Sequence, residues 1–264
     1  MKTLAQFITI VALFFGTWFL LNKVDWIHLL KVEQISNKTE EKLGKILWDF
    51  IKQTEKEKKE KSIQEPVQKL LHHLCENNYI DKKSIKLNII DKDEINAFAL
   101  PDRRMVIYTG LINACENEEE LLAVMGHELA HIQLNHVMQK LMKEIGLGIL
   151  IGITGQNQNI ATIKEVTKVL SSTAFDRNLE READFTAVDY LVNASVDPKP
   201  FADFMFKISL KEPGLLKQLS WMSTHPASEE RAEQILEYID TLDTEAVPVL
   251  GEESWLELKA AVKK

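Results

Sequence analysis

Gly126-His127-Glu128-Leu129-Ala130-His131 lies within a run, Asn117 to Met142, whose residue types favour helix and whose start carries a helix-opening pair, Asn117 with Glu120 three residues on. Residues four apart on a helix share a face one turn apart, so this spacing aims the imidazoles of His127 and His131 at a single point. Neutral imidazole suits Zn²⁺ at about 2.0 to 2.1 Å, and Glu128 leans toward the open side of such an ion, where it can take a proton from bound water. The run is expected to be buried, because Leu121, Leu122, Val124, Met125, Leu129, Ile132, Leu134 and Val137 spread around most of its circumference. Two histidines and a glutamate in so apolar a helix are costly unless something binds or neutralises them. A metal does both, and the chemistry it points to is hydrolysis.

Two histidines leave zinc short of a protein ligand, and a catalytic site commonly takes a third while keeping one position for water. Arg177-Asn178-Leu179-Glu180-Arg181-Glu182-Ala183-Asp184, on a segment reading as helix through Leu191, supplies the candidate, Glu180. Asp184 follows one turn later on the same face. There it can accept a hydrogen bond from the second nitrogen of a zinc-bound imidazole and fix its tautomer. Alone, this segment reads as a solvated, salt-bridged helix face; the histidine motif reverses that reading. His72 and His73, with no carboxylate at ligand spacing, read as surface or packing residues, and His136 as a structural residue off the ligand face.

Over 264 residues, 45% hydrophobic content allows one compact domain with a real core plus extras. A net charge of −8 and the lack of a long basic stripe exclude nucleic acid as a partner. Cys75 and Cys115 are too few and too far apart for a disulfide framework or a cysteine metal site and read as two free thiols, with a single bridge between them as the alternative. Leu4 to Leu21 is an uncharged apolar run of 18 residues, long enough to cross about 27 Å as a helix. Thr17-Trp18-Phe19-Leu20-Leu21 offers no small-residue cleavage site, so the run reads as a retained membrane anchor. Lys2 on one side is nearly matched by Lys23 and Lys31 on the other. The expectation is a single-pass cell-membrane protein whose catalytic part faces the extracytoplasmic, periplasmic side, with the cytoplasmic orientation left open. The expected organisation is an anchor over 1–22, a helical spacer leading into the catalytic part over 23–78, the metallopeptidase domain over 79–240 and a tail over 241–264.

Within the spacer, eight of the ten residues from Lys52 to Lys61 are charged and read as a solvated helical face. Ile85 to Ile90, Ile95 to Ala99 and Met105 to Thr109 are rich in strand formers, and Pro101-Asp102 supplies a turn, so a small antiparallel sheet is expected before the metal helix. Its exposed edge can bind an extended peptide through main-chain hydrogen bonds, or it can be a plain structural hairpin. Ile145 to Ile153 is apolar, glycine-spaced and too short to span a bilayer; it is expected in the core, with a mobile cover over the active site or a membrane-touching segment as the alternatives.

In order along the chain, Asn96-Ala97-Phe98-Ala99 with Pro101, Thr109-Gly110-Leu111, the His127 to His131 motif followed by His136, Arg177 to Asp184, and Thr224-His225-Pro226 with Arg231 resemble the membrane-associated zinc metallopeptidases that include HtpX, BepA and the CAAX prenyl endopeptidases. The resemblance covers roughly Asn96 to Arg231. It implies an α+β, mostly helical, zincin-like domain of gluzincin type with a small antiparallel sheet. It further implies one Zn²⁺ per chain on His127, His131 and Glu180, with Glu128 as catalytic base. Asp184 and Arg177 would stand behind the ligands, and Asn96, Ala97 and Phe98 would contact a polypeptide substrate. In BepA-like members a histidine in the position of His225 can take the fourth metal position, which implies a catalytic, self-restraining role for His225. The implied function is a membrane-anchored zinc endopeptidase in quality control of membrane or envelope proteins; the alternative is a proteolytically silent, zinc-stabilised membrane-tethered chaperone or adaptor. Arg103-Arg104 departs from the glycine many relatives place after the proline, and no tetratricopeptide repeats follow His225.

Overall fold

The computed structural model describes residues 6, 32–155, 159–209, 220–226, 229–242 and 245–263. The anchor expected over Leu4 to Leu21 lies outside them; among the described residues no helix is long and apolar enough to cross a membrane. The chain divides into two units, Met1–Glu40 and Glu41–Lys264, and every residue that forms the site belongs to the second.

Helix α1 (Val32–Thr54) buries Leu43, Leu47, Trp48 and Ile51 at helical spacing, and α2 (Lys61–Asn77) buries Ile63, Val67, Leu70, Leu71 and Leu74. The charged run between them is not a continuous helical face. The helix stops at Thr54, Glu57 bridges Ile90, the Lys58 N–H donates to Ile89 O at 2.8 Å and the Asp91 N–H to Lys56 O at 2.8 Å. These charged residues cover a strand edge whose N–H and C=O groups would otherwise be unpaired.

Strands β1 (Lys86–Ile90), β2 (Ala97–Leu100) and β3 (Arg104–Tyr108) form a sheet of order β1-β3-β2, with β3 antiparallel to β2 and parallel to β1. The sheet is therefore mixed, not antiparallel as expected. A three-residue turn folds β3 back onto β2, but the longer connection after β1 carries β2 past the neighbouring position, which β3 then fills. That connection crosses the start of α3 (Thr109–Ala114): the Gly110 N–H donates to Lys92 O at 2.8 Å, and a Cβ on Gly110 would sit 2.3 Å from Asp93 O. Only glycine fits so close an approach. In the β2–β3 turn Asp102 and Arg103 take φ of 68° and 51°. Left-handed non-glycine residues are strained. Here they are held by Lys86 on both Asp102 carboxylate oxygens at 2.6 Å and by Arg103 on Gln133 Oε1 at 2.9 Å.

Asn117 caps α4 (Glu118–Gln133) by accepting from the Glu120 N–H at 2.9 Å, as its position predicts. The helix does not run on to Met142. It ends at Gln133, Asn135 turns left-handed at φ 58°, and α5 (His136–Glu144) starts anew. Next come α6 (Leu147–Ile153) and α7 (Ile160–Ser172), the latter packed on α5 and β2. The expected core segment is half core: Leu150 and Ile153 are buried while Ile149 and Ile151 are 52% and 43% exposed. Then follow α8 (Arg177–Asn193), α9 (Lys199–Ser209), the short α10 (Trp221–Thr224), α11 (Glu229–Ile239) and α12 (Glu252–Val262). The last of these lies in the stretch expected as a tail: Trp255 and Leu258 are buried against α2 and α3, and the Glu118 carboxylate accepts from the Val249 N–H at 2.6 Å and the Leu250 N–H at 2.8 Å. Cys75 and Cys115 are buried free thiols, and His73 packs with Nε2 2.7 Å from Ala194 O.

Candidate metal centre

Helices α4 and α8 pack against each other, and the residue that ends α10, His225, reaches a side chain of each. His127 and His131 come from one turn of α4, Glu180 from the first turn of α8, and His225 from the residue that ends α10. Each offers one donor atom, all within 4.8 Å of one another, and none of the four is more than 2% exposed.

The spacing of these donors is that of ligands around one ion. His127 Nε2 lies 3.0 Å from His131 Nε2 and 3.1 Å from His225 Nδ1; Glu180 Oε1 lies 2.9 Å from His225 Nδ1 and 3.4 Å from His131 Nε2. A tetrahedral ion with arms of about 2.0 to 2.1 Å has donors about 3.3 Å apart. Burial depresses the imidazoles, His131 to about 3 and His225 to about 4, and draws His127 down as well. The rings are thus neutral, the form that binds metal. Bare nitrogen lone pairs facing each other in a dry site repel, and a cation is what turns that repulsion into binding. The four residues fit a metal.

Behind the donors stand groups that fix their orientation. Asp184 Oδ1 lies 3.0 Å from His127 Nδ1, so the face-sharing expected of Asp184 and Glu180 places the carboxylate where a ring N–H can reach it. Burial would raise the Asp184 carboxyl, but the Arg231 guanidinium holds it below the usual range. Arg231 donates to Asp184 from Nη2 and Nε at 2.7 and 2.8 Å, and its Nη1 lies 2.7 Å from Glu180 Oε2. This is the place expected for Arg177, which instead lies exposed on a cavity wall, because its side chain points away from the packed face of α8. His136 is not among the converging donors and stands behind one of them. The break at Asn135 folds it back until its Nδ1 is 3.1 Å from His131 Nδ1, while its Nε2 lies 3.4 Å from Glu182.

Glu128 is 1% exposed and sits beside the donor cluster, with Oε1 3.3 Å from His225 Nε2 and Oε2 without a hydrogen-bond partner among the described residues. Burial pushes its carboxyl up to about 8, with Trp221 drawing it back down. The Trp221 indole Nε1 donates to Glu128 Oε1 at 3.0 Å. The His225 ring is stacked between Trp221, centroids 4.9 Å apart, and Phe175, 5.3 Å apart, and Phe175 also stacks on His131 at 4.2 Å. Sequence reasoning gave no role to Trp221, Phe175 or Arg231. The available signal for Trp221 was its place one helical turn before His225.

Strand β2 borders this centre. The Tyr108 N–H donates to Asn96 O at 3.0 Å. Antiparallel alternation therefore turns the backbone of Asn96 and Phe98 toward β3 and that of Ala97 and Ala99 outward. Of the three residues expected to contact substrate, only Ala97 turns its main-chain groups away from β3. The next outward carbonyl, Ile95 O, already accepts from the Trp221 N–H at 3.1 Å.

A helix-borne His-Glu-x-x-His closed by a glutamate from a second helix defines a metallopeptidase site of the gluzincin type. The model of Peptidase family M48 matches residues 57–239, and the chain belongs to that family. It is similar to the mitochondrial metalloendopeptidase OMA1 of Bos taurus, 29% identical over 187 residues, covering 64% of this chain and 36% of that protein. It is also similar to the metalloprotease LoiP of Escherichia coli (strain K12), 28% identical over 168 residues, covering 60% of this chain and 64% of that protein. The beta-barrel assembly-enhancing protease of the same organism is 27% identical over 158 residues, 54% of this chain and 32% of that protein. The chain thus spans less than two thirds of the length of each of these relatives.

Proposed function

We propose that the chain is a zinc-dependent endopeptidase, anchored to a cell membrane by its amino-terminal apolar run, that cleaves misassembled or damaged membrane or envelope proteins. The observation that carries this reading is the buried cluster of His127, His131, Glu180 and His225 with the Glu128 carboxylate at its side. The imidazole-rich donor set favours zinc over a hard oxygen-seeking cation, and the names of the relatives support metal-dependent proteolysis.

When bound, zinc polarises the scissile carbonyl and lowers the pKa of water toward about 7. Glu128 accepts the proton of the attacking water and delivers it to the leaving amine. Asp184 and Arg231 hold the His127 ring and the Glu180 carboxylate in register, and His136 does the same for His131. An extended substrate pairs with the outward groups of Ala97 and Ala99. Substrate access requires His225 and Trp221 to withdraw, so the closed arrangement is a restrained state. Metal content and casein cleavage, measured for the wild type and Glu128→Gln, test the reading. A metal-loaded wild type that cleaves nothing would instead favour the silent, zinc-stabilised chaperone or adaptor.

A further inference from the structure

A cavity of about 480 Å³ opens between α8 and α11 against the metal centre. Its wall includes Glu180, one of the four converging donors, and Phe175, the ring stacked on His131 and His225. The cavity therefore reaches the groups around which a scissile bond must lie, and its volume is that of a ligand pocket. Arg177 and Arg181, both exposed, line the same cavity from one face of α8, four residues apart.

These two arginines are placed against local stability. Like charges four apart on a helix repel, and positive charge in the first turns opposes the helix dipole. Neither guanidinium pairs with a carboxylate among the described residues: Arg181 reaches only Asn178 Oδ1, at 3.5 Å. The candidate partners are otherwise engaged. Asp176 binds Lys143 at 2.7 Å, Glu182 faces His136, and Glu230, on the cavity wall, accepts from Gln234 at 3.3 Å. Arg231, the third arginine of the wall, is spent on Asp184 and Glu180. In a chain of net charge −8, two unpaired guanidiniums facing one cavity beside the reacting centre form a receptor for a carboxylate.

We propose that this cavity is a substrate subsite in which Arg177 and Arg181 select a glutamate or aspartate side chain close to the scissile bond. The assignment rests on the endopeptidase reading and deepens it. The Arg177 and Arg181 forks bind the side-chain carboxylate, while the aliphatic part of the acidic residue lies against Phe175.

The test uses the full chain in detergent micelles and internally quenched peptides with both ends blocked, identical except for Glu or Gln at one position scanned across the cleavage site. At one position Glu should raise kcat/KM about tenfold over Gln, the size of one good charged hydrogen-bonded contact. Arg177→Gln and Arg181→Gln should each shrink that Glu-to-Gln ratio several-fold, the double variant should bring it to about one, and Arg181→Glu should turn the preference toward Lys. Equal cleavage of Glu and Gln peptides at every position overturns the subsite and leaves the endopeptidase reading intact. A preference that all four variants leave unchanged does the same. A Glu preference seen only at a free carboxy terminus overturns the side-chain assignment in favour of a terminal carboxylate. A metal-loaded wild type that cleaves none of the peptides, nor casein, defeats the endopeptidase reading itself.

Discussion

The Trp221 indole donates to Glu128 Oε1 at 3.0 Å while the backbone N–H of the same residue donates to Ile95 O at 3.1 Å. His225, one turn on, puts Nδ1 among the metal donors. A single short helix thus engages the proposed catalytic base, supplies the fourth converging donor and covers part of the outward edge of β2 at once. Three places that the proposed reaction uses are thus already engaged by the chain itself.

Release of that helix should therefore raise activity. His225→Ala and Trp221→Phe are each expected to speed casein cleavage by up to about tenfold, the gain available when a competent state populated near one in ten becomes dominant. Both should also quicken inactivation by a zinc-directed hydroxamate. A lower cleavage rate with metal retained and no faster inactivation would sink the restraint.

Glu128→Gln keeps the shape of the side chain and removes its capacity to take a proton. Metal content should match the wild type while kcat falls by about 10² to 10⁴. Unchanged cleavage would remove Glu128 from the mechanism.

Removing the metal leaves four buried polar side chains facing one another. A ligand held at about a thousand times its Kd stabilises by about 4 kcal/mol, so exhaustive chelation should lower Tm on the order of 10 °C, and added Zn²⁺ should restore it. Identical melting curves for the loaded and chelated protein would speak against a structural hold by the metal.

The Arg231 to Asp184 pair is buried and doubly hydrogen-bonded. Breaking it from either side, by Arg231→Met or Asp184→Asn, should cost about 3 to 5 kcal/mol and lower metal affinity about 10- to 100-fold. The double variant should cost less than the sum of the two in urea melts; strict additivity would show that the pair does not act as a unit.

Lys140 is 4% exposed, donates to Thr173 O and lies over the Phe175 ring at 4.0 Å. Burial lowers its ammonium to about 8, with Glu180 and Glu128 pulling it back up. The unfolded value is about 10.4, so between about pH 8 and 10 the unfolded chain binds more protons than the folded one, and stability from this residue rises with pH. Below pH 8 the full cost of the buried charge is present. Urea melts of wild type and Lys140→Met should therefore differ increasingly in favour of the wild type from pH 8 to 9.5, by about 1 kcal/mol or more; parallel pH profiles would contradict the burial of a charged lysine.

Helix-borne chemistry was legible in the chain because helical periodicity is local: His127 and His131 four apart, Glu180 and Asp184 four apart, and the Asn117 cap each depend on residues within a turn or two. The apolar run around the metal helix announced its burial for the same reason. Beyond the meeting of Glu180, Asp184 and His225 with the histidine pair, which metal chemistry and the family resemblance implied, the long-range partner of each side chain was not legible, because it depends on the path of the connections and on which faces pack. The β1-β3-β2 order followed from a connection that bypasses a neighbour, and the break at Asn135 brought His136 onto His131. Arg231, rather than Arg177, reached the carboxylates because α11 packs against α8 at that height. The sequence by itself determined that a metal-binding helix exists and which residues it offers. Only the tertiary structure decided that Trp221 closes on that helix, since it lies some ninety residues from Glu128 and meets it through packing that no local pattern encodes.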